Sequence, residues 1–320
     1  MCAYYRLCFL DNTNVDFLPR DFSRDIECMA KAESVSSVTE VERVSNKAGR
    51  PSVSFQGEHG AYSEQAAQSF FGASVITRPS NTLKQVFKMV EDGSADYGVV
   101  PAENSIEGSV NQTYDLLLQS PLNIDGEVKI RVSHCLMALP GVQIGDIRIV
   151  YSHPQALAQC SAFLERLSVL LEPTYDTAGS AKLIKEKNIR DAAAIASERA
   201  GTLYALQILD RHIEDFPENF TRFFVIGRGD ISRTGKDKTS IVFGTKHLPG
   251  SLYKALSELA KRGINLTKIE SRPIRGTPWE YHFFVDIEGH KTDPACSEAL
   301  KALSQSATFL RVLGSYPQAA

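Results

Sequence analysis

Four short stretches of this 320-residue chain set polar side chains where an apolar strand or helix begins or ends. The first is Gln56-Gly-Glu-His-Gly-Ala-Tyr-Ser-Glu64. Its two glycines allow a tight turn into a helix, Ser63 offers a cap, and the N–H groups of such a helix start favour an anion. The glycine spacing matches neither a dinucleotide fingerprint nor a P-loop. In the second, Val99-Val-Pro-Ala-Glu-Asn-Ser-Ile-Glu-Gly108, an apolar run leads straight into Glu103, Asn104 and Ser105. In the third, Tyr151-Ser-His-Pro-Gln-Ala-Leu-Ala-Gln-Cys160, Pro154 suits a first helical turn that Ser152 or His153 would cap, and Gln155 and Gln159 lie one turn apart. Cys160 falls on the apolar face and reads as core, with no basic partner to activate a thiolate. The fourth, Asn219-Phe-Thr-Arg-Phe223, puts a hydroxyl and a guanidinium at the start of an apolar strand, where Arg222 can grip a carboxylate bidentately. Standing alone, each stretch also fits a plain structural role: a capped loop, a surface turn, a capping His153, a strand edge.

Positioning those groups takes alternating strands and helices. Strands are expected over 52–56, 97–100, 148–151, 192–196 and 223–226. Between them, apolar residues recur at helical spacing: Ala66, Ala67 and Phe70; then Leu83, Val86, Phe87 and Val90 after the capping run Ser80-Asn-Thr82; then Ala156, Cys160, Phe163, Leu164 and Leu167 in one helix. That alternation predicts a mainly parallel sheet covered on both faces. It divides into two α/β lobes, one over 51–129 with 213–228 returning to it, the other over 130–212. Polar groups at strand ends then face a cleft between lobes, a standard place for a small ligand. The glycine-rich, charged run 229–238 reads as a linker. Beyond it, 239–320 follows the order strand, helix, strand, strand, helix, strand, a βαββαβ unit whose second sheet face is expected to be free for another copy. Residues 1–50 lack periodicity and read as an irregular extension.

Composition narrows the classes. A net charge of −3 with no basic stretch gives a nucleic acid or an anionic membrane no electrostatic footing. The six cysteines are scattered without a C-x-x-C pair, which speaks against a zinc site and against a secreted disulfide framework. No apolar run approaches the ~20 residues of a membrane span. The cytoplasm is the expected location.

Taken together, in order, the four stretches resemble the prephenate dehydratases: G-A-Y-S, P-x-E-N-S-x-x-G, S-H-P-Q-A-L-x-Q-C and N-x-T-R-F. The related arogenate dehydratases share these motifs. The C-terminal unit resembles an ACT domain, with Glu270-Ser-Arg-Pro273 matching the family's E-S-R-P, and Gly250-Ser-Leu-Tyr253 standing where G-A-L-V is usual. Fifty irregular residues are too few for the long helices of the chorismate mutase often fused to this family.

The resemblance implies a two-lobed, periplasmic-binding-protein-like α/β catalytic domain followed by a ferredoxin-like ACT domain. It implies conversion of prephenate to phenylpyruvate with loss of water and carbon dioxide, under control by phenylalanine. No cofactor and no metal is expected, because aromatisation drives the reaction. Thr221 is expected at the leaving hydroxyl, with Asn104, Ser105, Ser152 and Gln159 as the other catalytic polar groups. Arg222 is the expected carboxylate anchor, and Glu103 or His153 a proton supplier if burial tunes one of them. Phe223, Gln155, Tyr62 and Ser63 are expected to bind substrate or shape the cleft. Phenylalanine is expected at Gly250, Ser251, Leu252, Asn265, Leu266 and Glu270 to Pro273 (Ser271 and Arg272 included), in a homodimer or homotetramer. Two other readings compete: an arogenate dehydratase making phenylalanine directly, and a non-catalytic amino-acid-binding protein on the same scaffold.

Overall fold

The computed structural model describes residues 50–319, apart from 275 and 278; the N-terminal extension read as irregular therefore lies outside the described residues up to position 49. The element order is β1 (Ser52–Gln56), α1 (Tyr62–Phe71), β2 (Ile76–Ser80), α2 (Leu83–Glu91), β3 (Tyr97–Asn104), β4 (Gly108–Ser109), α3 (Asn111–Gln119), β5 (Asn123–Arg131) and β6 (Cys135–Ala138). Then come β7 (Ile149–Ser152), α4 (Pro154–Gln159), α5 (Ser161–Glu165), β8 (Leu170–Pro173), α6 (Thr177–Lys187), β9 (Ala192–Ala196), α7 (Glu198–Leu203), β10 (Gln207–Arg211) and β11 (Phe220–Gly227). The C-terminal unit holds β12 (Asp237–Gly244), α8 (Ser251–Ala260), β13 (Leu266–Pro273), β14 (Tyr281–Glu288), α9 (Pro294–Ser306) and β15 (Phe309–Pro317).

Three sheets result. The first lobe's sheet runs β2-β1-β3-β11-β5, with β4 beside β3; the second lobe's runs β10-β6-β9-β7-β8. Both are mixed rather than mainly parallel: β11 is antiparallel to β3 and β5, and β6 is antiparallel to β9 and β10. The chain crosses between lobes twice, and the second crossing returns it as β11, which forces the reversed direction. Local chemistry explains several elements. Thr82 caps α2 by accepting from the Gln85 N–H, and Gln85 reaches back to the Asn81 N–H, both at 3.2 Å. The central strand β9 is buried along its whole length, and its alanines let helices pack closely over it.

The helix read across Cys160 is two helices. Asp215 accepts from Ser161 Oγ and from the Ala162 N–H, so a carboxylate from another segment caps a fresh start there. Strands β2, β5, β6, β8 and β10 carried no clear sequence pattern. Of these, β2, β8 and β10 sit at or near sheet edges with exposed residues, and β5 buries Asp125 and Glu127.

The C-terminal sheet runs β13-β14-β12-β15, fully antiparallel. One face packs α8 and α9 through Ile241, Phe243, Val285, Ile287, Leu259 and Leu303. The other face, expected to be free for another copy, is covered by the first lobe of the same chain. Val242, Phe284, Leu313 and Tyr316 join Tyr114, Leu117 and Phe224 in one core. The apolar residues alternating into that face explain it, since they need burial whether or not a second chain is present. Among the described residues no helix is long and apolar enough to cross a membrane.

Candidate active site

Strand alternation decides which of the expected residues share a face. β3 and β11 lie antiparallel with Asn104 opposite Thr221 and Glu103 opposite Arg222. Successive side chains point to opposite faces, so the first pair turns one way and the second the other.

On one face, Asn104 Nδ2 donates to Thr221 Oγ1 at 3.0 Å, to Asn219 Oδ1 at 2.7 Å and to the Phe220 carbonyl at 3.2 Å. Its Oδ1 accepts from the backbone N–H groups of Ile106 and Glu107, both at 3.0 Å, which fixes the amide orientation. Asn219, fully buried, donates onward to Gln159 Oε1 at 3.0 Å, and the same oxygen lies 3.2 Å from His134 Nε2. With Gln159 accepting twice, Nε2 carries the imidazole proton. Burial pushes His134 below its usual value, opposed by the Gln159 hydrogen bond, so the ring is neutral at pH 7. His134 Nδ1 lies 3.2 Å from the Tyr62 hydroxyl, which donates to the Ser133 carbonyl. Burial holds that phenol well above its ordinary range. A continuous run of neutral groups thus links Thr221 in the first lobe to Gln159 in the second.

Because Asn104 donates to Thr221 Oγ1, the threonine proton is left to point elsewhere, and no acceptor among the described residues takes it. The arrangement can present a hydroxyl donor to a bound oxygen while excluding nearby charge.

Other expected residues fall into place around this run. Ser105 Oγ donates to the Glu218 carbonyl at 3.1 Å and accepts from the Phe220 N–H at 3.0 Å, pinning the start of β11. Ser152 is buried at the end of β7 and donates to the Ile195 carbonyl at 2.7 Å. His153 caps α4, its Nδ1 accepting from the Gln155 N–H at 3.2 Å, and burial lowers its pKa. Gln155 points to solvent while Gln159 is buried. Phe223 packs with Val53, Ala66 and Val225 under α1. Cys160 is core, its thiol pushed up by burial.

Several expectations need correction. Arg222 is not available as a substrate anchor: its guanidinium is held by Glu103 at 2.9 Å, Glu127 at 3.1 Å and Asp286 at 2.7 Å, on the face turned away from Thr221. Glu103 shares that face, 3.2 Å from Lys268, and does not reach the neutral run. Ser63 does not cap α1, whose N-cap is Ala61. The anion expected at that helix start is supplied by the chain itself. Glu64 accepts from the Gly60 N–H at 2.7 Å, and Asp176 of the second lobe accepts from the Glu58 N–H at 3.0 Å. Burial pushes Glu64 upward, but hydrogen bonds from Gly60, His59 and Thr77 outweigh it and keep the carboxyl below its usual value. Gly60, at φ 95°, presses on Ala200 of the second lobe, where an added Cβ would lie 2.9 Å from Cα.

Sequence reasoning passed over Asn219 and His134. Asn219 opens the N-x-T-R-F motif, two residues before Thr221, and that spacing was its signal. His134 had none, because its role arises only where the chain crosses between lobes. Beside the run, a cavity of about 660 Å³ opens between α1 and α7, lined by Tyr62, Gln65, Arg131, Ser133, Ser197 and Arg199 among others. It shares Tyr62 with the run but does not reach Thr221, Asn104 or Gln159.

The C-terminal residues expected at an effector site divide. Ser251 and Leu252 line a cavity of about 150 Å³ together with Trp279 and Phe283. Gly250 starts α8 in the left-handed region at φ 79°, and Asn265 accepts from the Glu288 N–H through its carbonyl. Leu266 is half-buried against the helices. Glu270 and Arg272 instead face the first lobe, accepting from Ser109 at 2.9 Å and donating to Asp115 at 3.1 Å, while Ser271 and Pro273 are exposed.

Comparison with known proteins gives two family matches: prephenate dehydratase over residues 53–231 and ACT domain over residues 239–305. A bifunctional chorismate mutase/prephenate dehydratase of Aquifex aeolicus is 48% identical over 270 residues, covering 83% of this chain and 74% of that protein. Arogenate dehydratase/prephenate dehydratase 2, chloroplastic, of Arabidopsis thaliana is 46% identical over 294 residues, covering 88% and 77%. The crystal structure of a prephenate dehydratase from Arthrobacter aurescens in complex with L-Phe is 33% identical with a TM-score of 0.77, covering 83% of this chain and 90% of that one.

Proposed function

Because the chain belongs to the prephenate dehydratase family, with an ACT domain at its C-terminal end, we infer that its interlobe cleft is where prephenate loses water and carbon dioxide. The enzyme is a hydro-lyase of phenylalanine biosynthesis, and L-phenylalanine is the effector read through the ACT domain. The reaction takes up one proton: the C–C bond to the ring carboxylate breaks, its electrons enter the ring, and hydroxide departs as water. Since aromatisation supplies the driving force, the protein's task is to orient the ring and help the hydroxyl leave.

In this reading Thr221 meets the departing oxygen. A threonine hydroxyl is too weak an acid to act unaided, so its contribution is an oriented hydrogen bond. The observation that carries the reading is the Asn104 Nδ2 bond to Thr221 Oγ1, which leaves the hydroxyl proton free for substrate. Asn104, Gln159, Ser105 and Ser152 hold the surrounding backbone and amides, Tyr62 shapes the cleft wall, and Phe223 supports it from the core under α1. In this reading residues 51–228 form the catalytic domain, 229–238 the linker, whose last two residues already belong to β12, and 239–320 the ACT domain. Ser251, Leu252 and Gly250 form the effector end near the cavity beside Trp279, with Asn265, Leu266 and the Glu270–Pro273 strand alongside. Typical allosteric coupling of ~1–3 kcal/mol suffices for clear inhibition. A homodimer or homotetramer in the cytoplasm belongs to the same proposal, to be checked by sedimentation and cell fractionation.

The deciding experiment incubates the purified chain with prephenate and, separately, arogenate, identifying the aromatic product by chromatography. Phenylpyruvate from prephenate is the expected result. Phenylalanine from arogenate with no turnover of prephenate moves the assignment to arogenate dehydratase. No product from either leaves only the binding-protein reading.

A further inference from the structure

The residues next in sequence to Asn104 and Thr221 do something the reaction itself does not explain. Glu103 and Arg222 pair at 2.9 Å across β3 and β11, on the face that packs against the ACT sheet. From that sheet, Asp286 of β14 meets Arg222 Nη1 at 2.7 Å, and Lys268 of β13 meets Glu103 at 3.2 Å. Glu127 of β5, wholly buried, accepts from Arg222 at 3.1 Å and from Lys238 of β12 at 2.7 Å. Ser240 completes the setting by donating to Asp286 at 2.6 Å.

Such a cluster is a poor way to gain stability. Removing several charges from water costs much of what their attraction returns, and an apolar interface of similar volume would often hold as well or better. What such buried ion pairs supply is geometry: a guanidinium whose two terminal nitrogens are held by three carboxylates has few other orientations open to it. Burial opposes the Arg222 charge, but Asp286 beside it outweighs that, so the cation persists.

We propose that Arg222 and Glu103 are positioning residues for Thr221 and Asn104, and that Asp286 and Lys268 make the ACT domain part of the active site's support. The coupling is mechanical. Residues 221 and 222 share one planar peptide unit, as do 103 and 104, so a shift of the gripped residue carries its neighbour with it. A displacement near 1 Å at a reacting group costs up to about a hundredfold in rate. An effector that moves β13 or β14 therefore acts on turnover through Lys268 and Asp286, without reaching the cleft. This inference rests on Thr221 serving the reaction as proposed above.

The test uses the full chain. Asp286→Asn keeps the shape but removes the charge facing Arg222, and Lys268→Gln does the same for Glu103. Arg311→Lys is the control: Arg311 donates to the carbonyls of Leu117, Leu118, Ser120 and Leu122, holding the same two domains together without touching β3 or β11. Asp286→Asn is expected to lower kcat about tenfold or more with KM within about twofold, and to lose most of the response to phenylalanine. Lys268→Gln should show the same split more weakly, and Asp286→Glu should recover part of kcat. Arg311→Lys should keep kcat within about twofold even where its melting temperature falls as far. The proposal is overturned if Asp286→Asn and Lys268→Gln keep wild-type kcat and phenylalanine response. It is overturned equally if all variants lose kcat in proportion to melting temperature. Should Asp286→Asn not fold, Lys268→Gln against Arg311→Lys decides alone. A wild-type chain inactive on both substrates is a separate result, and it removes the functional reading beneath.

Discussion

On one face of β11 each group in the run that starts at Thr221 is neutral, whereas one residue along, on the opposite face, Arg222 sits among three carboxylates. The two regions are a single strand's thickness apart and share the same two backbone segments. On the function proposed above, their difference separates two tasks. A hydroxyl that must help an anion depart works best where no fixed charge competes for its proton. A joint that must hold one orientation works best where buried charges leave few alternatives. The strand keeps both requirements within adjacent residues because alternation places them on opposite sides.

Four substitutions would break or sharpen this contrast. Thr221→Ala should lower kcat by about 10²–10⁴ while leaving the urea midpoint close to wild type, because only the cleft-side hydroxyl is lost. Near-normal turnover would remove the chemistry from that face. Glu127→Ala should act the other way round. It strands Arg222 and Lys238 without a shared carboxylate, so a loss of ~3–5 kcal/mol in unfolding free energy is expected. A loss under about 1 kcal/mol would mean that the charged face is not the tightly committed joint described here. Asn219→Ala falls between, since it cuts the neutral run in its middle and leaves the Gln159 oxygen and an Asn104 donor short of a partner. About 1–3 kcal/mol of stability should go, together with measurable kcat, as read by denaturation and single-turnover kinetics.

The smallest effect concerns a lone buried acid outside both networks. Burial, with the nearby charge of Asp230 added, pushes Asp125 up to about 7 against a backbone hydrogen bond from Gly229. The unfolded carboxyl titrates near ~3.9, so between about pH 4 and 7 the folded chain holds a proton that the unfolded chain has lost. Stability from this group therefore falls as pH rises through that window and levels off above it. Asp125→Asn should remove the slope, gaining roughly 2–3 kcal/mol over wild type between pH 5 and pH 8. Parallel pH–stability curves for the two proteins would show that Asp125 does not titrate in the fold as described.

Much of the fold was legible before any coordinates. The spacing of Leu83, Val86, Phe87 and Val90 predicts the buried face of α2, and the apolar block at 192–196 predicts the buried strand β9. The C-terminal order of strands and helices is also plain in the sequence. Edge strands such as β2 and β8 were not, because a strand that faces solvent needs no apolar alternation. Nor was β5, where Asp125 and Glu127 mimic a surface segment; each is buried, and Glu127 is matched by cations from distant strands.

The motifs by themselves determined which residue types stand at these strand and helix ends, since it is only taken together, in order, that the stretches holding Asn104, Gln159 and Thr221 resemble the family's. Which way each side chain points was decided only by tertiary structure. Arg222 and Glu103 look like substrate ligands when read along the chain, yet pairing of β3 with β11 turns them toward the ACT sheet. His134 carries no local signal and acquires its place solely because the lobes meet there. The reason is physical: composition is a property of the chain, but facing is a property of strand register, and register is set by burial summed over residues far apart in sequence.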